Sequence, residues 1–120
     1  MPSINLGEIT GEFHEGLGPT MRLKRLASSW HAGDVYTFDR LYDVISPSSP
    51  QVLSLILNEL VRRGVLEEVV RVESPEAHGG IGDFRSVEEV PDAIYDSRMD
   101  KEIEVRPENV QVLFRVRHGK

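Results

Sequence analysis

Cysteine is absent from this 120-residue chain. That excludes a disulfide framework, a thiolate metal site and a cysteine nucleophile, and it accords with a reducing compartment. No apolar run approaches the roughly 20 residues that span a bilayer. The start, Met1-Pro2-Ser3-Ile4-Asn5, lacks the basic-then-apolar pattern of a signal peptide. The expectation is a cytoplasmic protein without membrane contact. Internal repeats and low-complexity tracts are also missing. The four histidines, His14, His31, His78 and His118, fall in separate segments, without metal-ligand spacing and without an H-E-x-x-H pattern. Adjacent acids such as Glu67-Glu68 and Glu88-Glu89 point to opposite faces of a strand. Ser28, Ser29, Ser48 and Ser49 sit in no nucleophile-elbow pattern. The glycine-rich run His78-Gly79-Gly80-Ile81-Gly82-Asp83 lacks the Lys-Ser/Thr of a P-loop and the strand-to-helix setting of a dinucleotide loop, so it reads as a tight, well-packed loop. No enzyme, metal or cofactor is expected; for any chemistry, His78 with Asp83 is the pair to inspect first.

What the chain does contain is ordinary for one soluble domain with a modest core: 39% hydrophobic and 28% charged residues. Its net charge of −6 is uneven. Residues 1–19 carry three acids and no Lys or Arg; residues 20–73 carry seven of each sign. Residues 74–109 carry ten acids against four bases, and residues 110–120 three bases and no acid. An acidic chain is a poor non-specific binder of nucleic acid, because the phosphate backbone rewards positive charge.

Taken in order, residues 1–19 are glycine-rich. Ile4, Leu6 and Ile9 suggest a short extended arm, either flexible or docking on a partner or a second copy. Pro19 to Trp30 reads as a helix capped by Thr20, with Met21, Leu23, Leu26, Ala27 and Trp30 as its apolar stripe. Val35-Tyr36 is a short extended piece. Thr37 caps a second helix, Phe38 to about Ile45, with Phe38, Leu41, Tyr42 and Ile45 on one face. A third helix follows the turn Ser46-Pro47-Ser48. Val65 to Glu73 is β-rich, with Leu66, Val70 and Val72 expected inward and Val69 and Arg71 outward. Within the acidic stretch, Ser86 to Val90 suggests a short capped turn. Pro91 to Met99 suggests another helix, on which Tyr95 and Met99 would meet, and Glu102 to Val105 alternates like a strand. Val110 to Val116 is the last strand, with Val110, Val112, Phe114 and Val116 on one face and Gln111, Leu113, Arg115 and Arg117 on the other.

The third helix is the best marked. Ser49 stands where a cap is wanted, Pro50 at the first helical position, Arg62 and Arg63 in the last turn, and Gly64 where a left-handed residue closes a helix. At about 100° per residue, Leu53, Ile56, Leu57 and Leu60 share one face. Gln51, Ser54, Leu55, Asn58 and Arg62 share the other. Gln, Ser, Asn and Arg in register suit base edges and phosphates of double-stranded DNA, with Arg71, Arg115 and Arg117 as further phosphate or partner contacts. Leu55, in the middle of the row, can meet a thymine methyl but suits a protein surface as well or better.

The residues Thr37-Phe38-Asp39-Arg40-Leu41-Tyr42, and Leu57-Asn58-Glu59-Leu60-Val61-Arg62-Arg63-Gly64-Val65-Leu66-Glu67, carry a resemblance. A helix ending in a leucine pair, basic residues and Gly, followed at once by a β-rich run, resembles the winged helix-turn-helix superfamily where its third helix hands over to the wing. The resemblance covers residues 20–73 and 110–117. It implies an α+β fold: three helices and a small antiparallel β-wing, in a domain of residues 20–117 behind an arm of residues 1–19 and before a tail of residues 118–120. Residues 74–109 depart from the pattern, as an enlarged acidic wing insertion where many DNA-binding members have a short basic hairpin. The function expected is a non-catalytic interaction module, an adaptor or subunit of a larger protein assembly, with a protein partner or self-association. The alternative is a sequence-specific DNA-binding transcriptional regulator using helix 49–63.

Overall fold

The computed structural model describes residues 5–13, 15–77 and 79–118. Among them the chain is mixed α+β, with four α-helices and a four-stranded antiparallel sheet. The elements are α1 (Leu6–Glu12), α2 (Leu17–Ser28), β1 (Val35–Thr37), α3 (Phe38–Ile45), α4 (Pro50–Arg62), β2 (Leu66–Glu73), β3 (Gly80–Phe84), β4 (Ala93–Asp96), β5 (Lys101–Glu104) and β6 (Val110–Val116). Short 3-10 turns occupy Val87–Glu89 and Pro107–Asn109. The larger sheet runs β1-β6-β2-β3, and β4 and β5 form a separate two-stranded sheet. The chain divides into two compact units, Met1–Glu67 with Arg115–Lys120, and Glu68–Phe114.

The first unit is built on helices whose ends are chemically specified. Thr37 accepts the Arg40 N–H (3.1 Å) and caps α3. At the other end of α3, Ser46 adopts φ +49° and donates its N–H to the Tyr42 carbonyl (2.8 Å). Arg22 of α2 then donates to the Ile45 and Ser46 carbonyls (2.7 and 3.2 Å), satisfying acceptors that a helix end leaves open. Glu15 accepts from the Ser48 N–H and hydroxyl (3.0 and 3.1 Å), which ties the segment before α2 to the turn before α4. Helix α1 packs on α2 and α4, and α2 packs on α3. Ile9, Leu23, Trp30, Leu41, Ile45, Leu66 and the inner face of α4 are buried here.

Three expectations for this unit are corrected. Residues 6–12 form a helix, not an extended arm. Asn5 caps it by accepting the Glu8 N–H (3.0 Å), and Ile9 and Thr10 are buried. Gly7 and Gly11 dilute the helical period, while the anchoring is tertiary: Thr10 and Thr20 share a hydroxyl hydrogen bond of 2.8 Å. Helix α2 begins at Leu17, so Thr20 lies inside it and bonds the Gly16 carbonyl (2.9 Å) instead of capping. Pro19 is tolerated because the first turn has no intrahelical use for its missing N–H. Met21, expected in the apolar stripe, is exposed, as is Leu17.

In the second unit β2 and β3 are antiparallel, with Val70 opposite Phe84 and Arg71 opposite Asp83. The glycine-rich run is thus largely a strand, not a loop. Its glycines are sites of close approach: a Cβ on Gly80 would lie 2.9 Å from Cδ of Arg71, and one on Gly82 would lie 2.8 Å from Cδ1 of Ile94. Residues 91–99 are not helical either. Ala93-Ile94-Tyr95-Asp96 pairs with β5, Ile94 opposite Ile103, because β-branched and aromatic side chains here find cross-strand partners. Tyr95 and Met99 therefore do not meet on a helix; Tyr95 bonds Asp100. Residues 74–109 thus hold a strand, two 3-10 turns and a hairpin; the turn expected at 86–90 is one of those 3-10 turns and the strand expected at 102–105 is β5.

Strict alternation also fails at two places. Val69 is buried along with Val70 in β2, and Leu113 along with Phe114 in β6, while Val112 is exposed. At these positions both faces of β2 and β6 carry buried apolar groups, so the sheet is covered on both sides there rather than on one.

Candidate functional site

Helix α4 has the ends that its sequence specifies. Ser49 is extended (φ −160°, ψ 159°), and its hydroxyl accepts the Val52 N–H at 3.1 Å. Gly64 takes φ +77°. The Gly64 N–H then reaches the Val61 carbonyl (3.0 Å) and the Val65 N–H the Leu60 carbonyl (2.9 Å), a Schellman closure. Between these ends Leu53, Ile56, Leu57 and Leu60 are at most 1% exposed. Burying four aliphatic side chains at roughly 1.5–3 kcal/mol each fixes which way the helix faces. Gln51, Ser54, Leu55, Asn58 and Arg62 are all exposed on the opposite side. Leu55 is 49% exposed, an apolar centre in a polar row.

The electrostatics of this face turn on Glu59, which is not among the residues expected from the outer row. It accepts from Arg62 through both oxygens and from Nε of Arg63 at 2.8 Å. Those hydrogen bonds, from Arg62 first and Arg63 second, pull the Glu59 carboxyl down to about 2. Arg63 also lies 3.5 Å from Glu12 of α1. The signal was present in the sequence: a glutamate three and four residues before two arginines is the spacing at which helical side chains meet. Arg62 is thus exposed but neutralised in place.

Of the other expected cations, Arg115 and Arg71 are paired to carboxylates and Arg117 is not. Arg115 is 3.1 Å from Glu67. Arg71 makes a two-pronged contact with Asp83 (2.8 and 3.1 Å), and the Asp83 hydrogen bond raises its pKa above the ordinary value. Arg117 is exposed, donates its N–H to the Val65 carbonyl (3.0 Å), and has no ion-pair partner among the described residues. Its guanidinium lies beside Gly64, at the negative end of the α4 dipole. The structure therefore brings Gln51, Ser54, Leu55, Asn58 and Arg62 onto one face, and puts Arg115 and Arg117 in the same unit as α4. Arg71 belongs to the second unit.

Charge divides sharply between the units. Met1–Glu67 with Arg115–Lys120 holds nine Lys and Arg against eight Asp and Glu; Glu68–Phe114 holds five against twelve. Among the described residues no group of three or more His, Asp or Glu is placed to hold a metal, and no helix is long and apolar enough to cross a membrane. His31 is 3.8 Å from Asp34 on the surface. The pair His78 and Asp83 is not placed, since His78 lies outside the described residues. No protein family, curated protein or solved structure matches the chain.

Proposed function

We propose that the chain is a non-catalytic winged-helix interaction module, an adaptor or subunit of a larger assembly, and that it docks on a protein partner through the outer face of α4. The winged-helix reading is supported by the succession α2, β1, α3, α4, β2 and β6, with β6 between β1 and β2 in the sheet. The observation that carries the functional reading is Leu55. A half-exposed leucine stands at the centre of a face whose one cation, Arg62, is held by Glu59. Such a face gains more from apolar cover and hydrogen bonds than from phosphate. Gln51, Ser54 and Asn58 then supply directional contacts around an apolar anchor, the arrangement typical of an interface centre.

The test compares the tagged wild-type chain with Leu55→Asp, after nuclease treatment, in affinity capture from its native cells. The expected outcome is a stoichiometric protein partner retained by wild type and lost with Leu55→Asp, at nearly unchanged melting temperature. Retention of the same partner by Leu55→Asp would remove α4 from the interface. DNA binding is the second reading, favoured by the exposed row of Gln51, Ser54 and Asn58. A flat mobility-shift titration against random genomic fragments at low salt would sink it.

A further inference from the structure

The Glu68–Phe114 unit carries a surface groove of about 370 Å³, lined by Val87, Val90, Pro91, Val105, Pro107 and Val110, with Asp92 and Arg106 at its sides. Every lining residue comes from this one unit. Val87 is 62% exposed and projects its side chain from the 3-10 turn. The two prolines offer no N–H, and the Val105 N–H is already given to the Asp92 carbonyl (2.8 Å). The groove wall is thus apolar and its backbone donors are largely spent, so side-chain insertion is favoured over strand addition.

Its surroundings are acidic. Glu88 and Glu89 are exposed on the same 3-10 turn as Val87, and Asp92 is exposed on the wall itself, while Glu104 and Glu108 line an adjoining hollow that shares Arg106. The one lining cation, Arg106, is paired with Glu104 at 3.4 Å. An uncharged apolar ligand would leave those carboxylates unused, and an acidic one would be repelled. We infer that this groove is a second docking site, separate from α4, which takes a partner-protein segment carrying a bulky apolar residue flanked by Lys or Arg. The apolar side chain fills the space between Val87, Pro91 and Val105, and the flanking cations meet Asp92 and the adjoining Glu88 and Glu89. The rim supplies steering and orientation, the groove the hold.

The probe is a phage-displayed library of random dodecapeptides, panned on the immobilised full chain at physiological salt. Enriched peptides are resynthesised and their affinities measured by fluorescence anisotropy. Selected peptides should carry an apolar residue between basic ones and bind Leu55→Asp as tightly as wild type. Val87→Asp, at a position exposed enough to leave the fold intact, should weaken them tenfold or more. Glu88→Lys combined with Asp92→Lys should weaken them with a reduced dependence on salt. The inference is overturned if no peptide is enriched, if enriched peptides bind Val87→Asp unchanged, or if replacing their apolar residue with Ser leaves affinity intact. Peptides sensitive to Leu55→Asp and not to Val87→Asp would assign the binding to α4, which overturns the groove and supports the α4 face.

Discussion

Replacing Glu59 with Gln separates the two readings of α4. The substitution removes the carboxylate that holds Arg62 and Arg63, while the amide oxygen keeps one acceptor and helix propensity is nearly unchanged. Arg62, with its side chain 70% exposed, is released to solvent. Arg63 is not, because Glu12 remains 3.5 Å away and its side chain is only 27% exposed. The variant therefore gains one free cation on the α4 face. One added phosphate contact changes the slope of log K against log salt by about 0.9, equivalent to about a three- to fourfold change in affinity between roughly 50 and 200 mM salt. The assay is fluorescence anisotropy with a labelled random-sequence duplex across that range, with circular dichroism melts to check the fold. The wild-type chain should show little binding and a shallow slope, and Glu59→Gln a slope steeper by about one contact. Steep, salt-dependent binding by wild type that Glu59→Gln leaves unchanged would refute the reasoning. It would mean that Arg62 already exchanges Glu59 for phosphate, or that other cations do the work.

The same ion pairs set an acid limit. Glu59 is lowered to about 2 from an ordinary carboxylate value of 4.5, so its contribution is fully present above 4.5 and is lost as pH falls toward 2; urea unfolding between these limits should show stability declining in wild type and less so in Glu59→Gln. Gly82→Ala should destabilise by about 1–3 kcal/mol, since its Cβ would sit 2.8 Å from Ile94 and 3.1 Å from Phe84, and an unchanged or raised melting temperature would show that the glycine is not there for packing.

What could be read from the sequence was whatever is decided within a few residues. Ser49, Pro50 and Gly64 mark α4, and Thr37 marks α3, because caps and left-handed closures are local chemistry. The apolar and polar faces of α4 follow from one periodicity, so its buried and exposed residues could be named in advance. Glu59 is equally local, three and four residues before Arg62 and Arg63, but it lies beside the outermost row rather than in it. The failures have a common cause. Helix α1 contains Gly7 and Gly11 and stays helical through Asn5 and the burial of Ile9 and Thr10. Strand β3 contains Gly80 and Gly82, placed where Arg71 and Ile94 cross it. Strand β4 reads as a helix turn until Ile103 is seen opposite Ile94. In each case a partner on another element decides, Thr20 for Thr10, Arg71 and Ile94 for the two glycines and Ile103 for Ile94, each nine or more residues away and so outside the reach of a cap or a turn.

The division of charge gives the two proposed surfaces different physical signatures. The α4 face belongs to a nearly neutral unit, and its own cation is neutralised by Glu59. A partner held there by Leu55 and the amides of Gln51 and Asn58 should bind with weak dependence on ionic strength. The groove lies in a unit with twelve acids and five bases. A basic segment held there should lose affinity as salt shortens the screening length from about 10 Å at 0.1 M to about 3 Å at 1 M. Salt dependence alone therefore sorts a captured partner between the surfaces before any substitution is made. The same argument weighs against DNA as a ligand of the chain as a whole. The polyanion would gain little from the α4 unit, where Arg62 and Arg115 are already paired to carboxylates and Arg117 is the one expected contact left unpaired among the described residues, and it would be repelled by the Glu68–Phe114 unit, where Arg71 is held by Asp83.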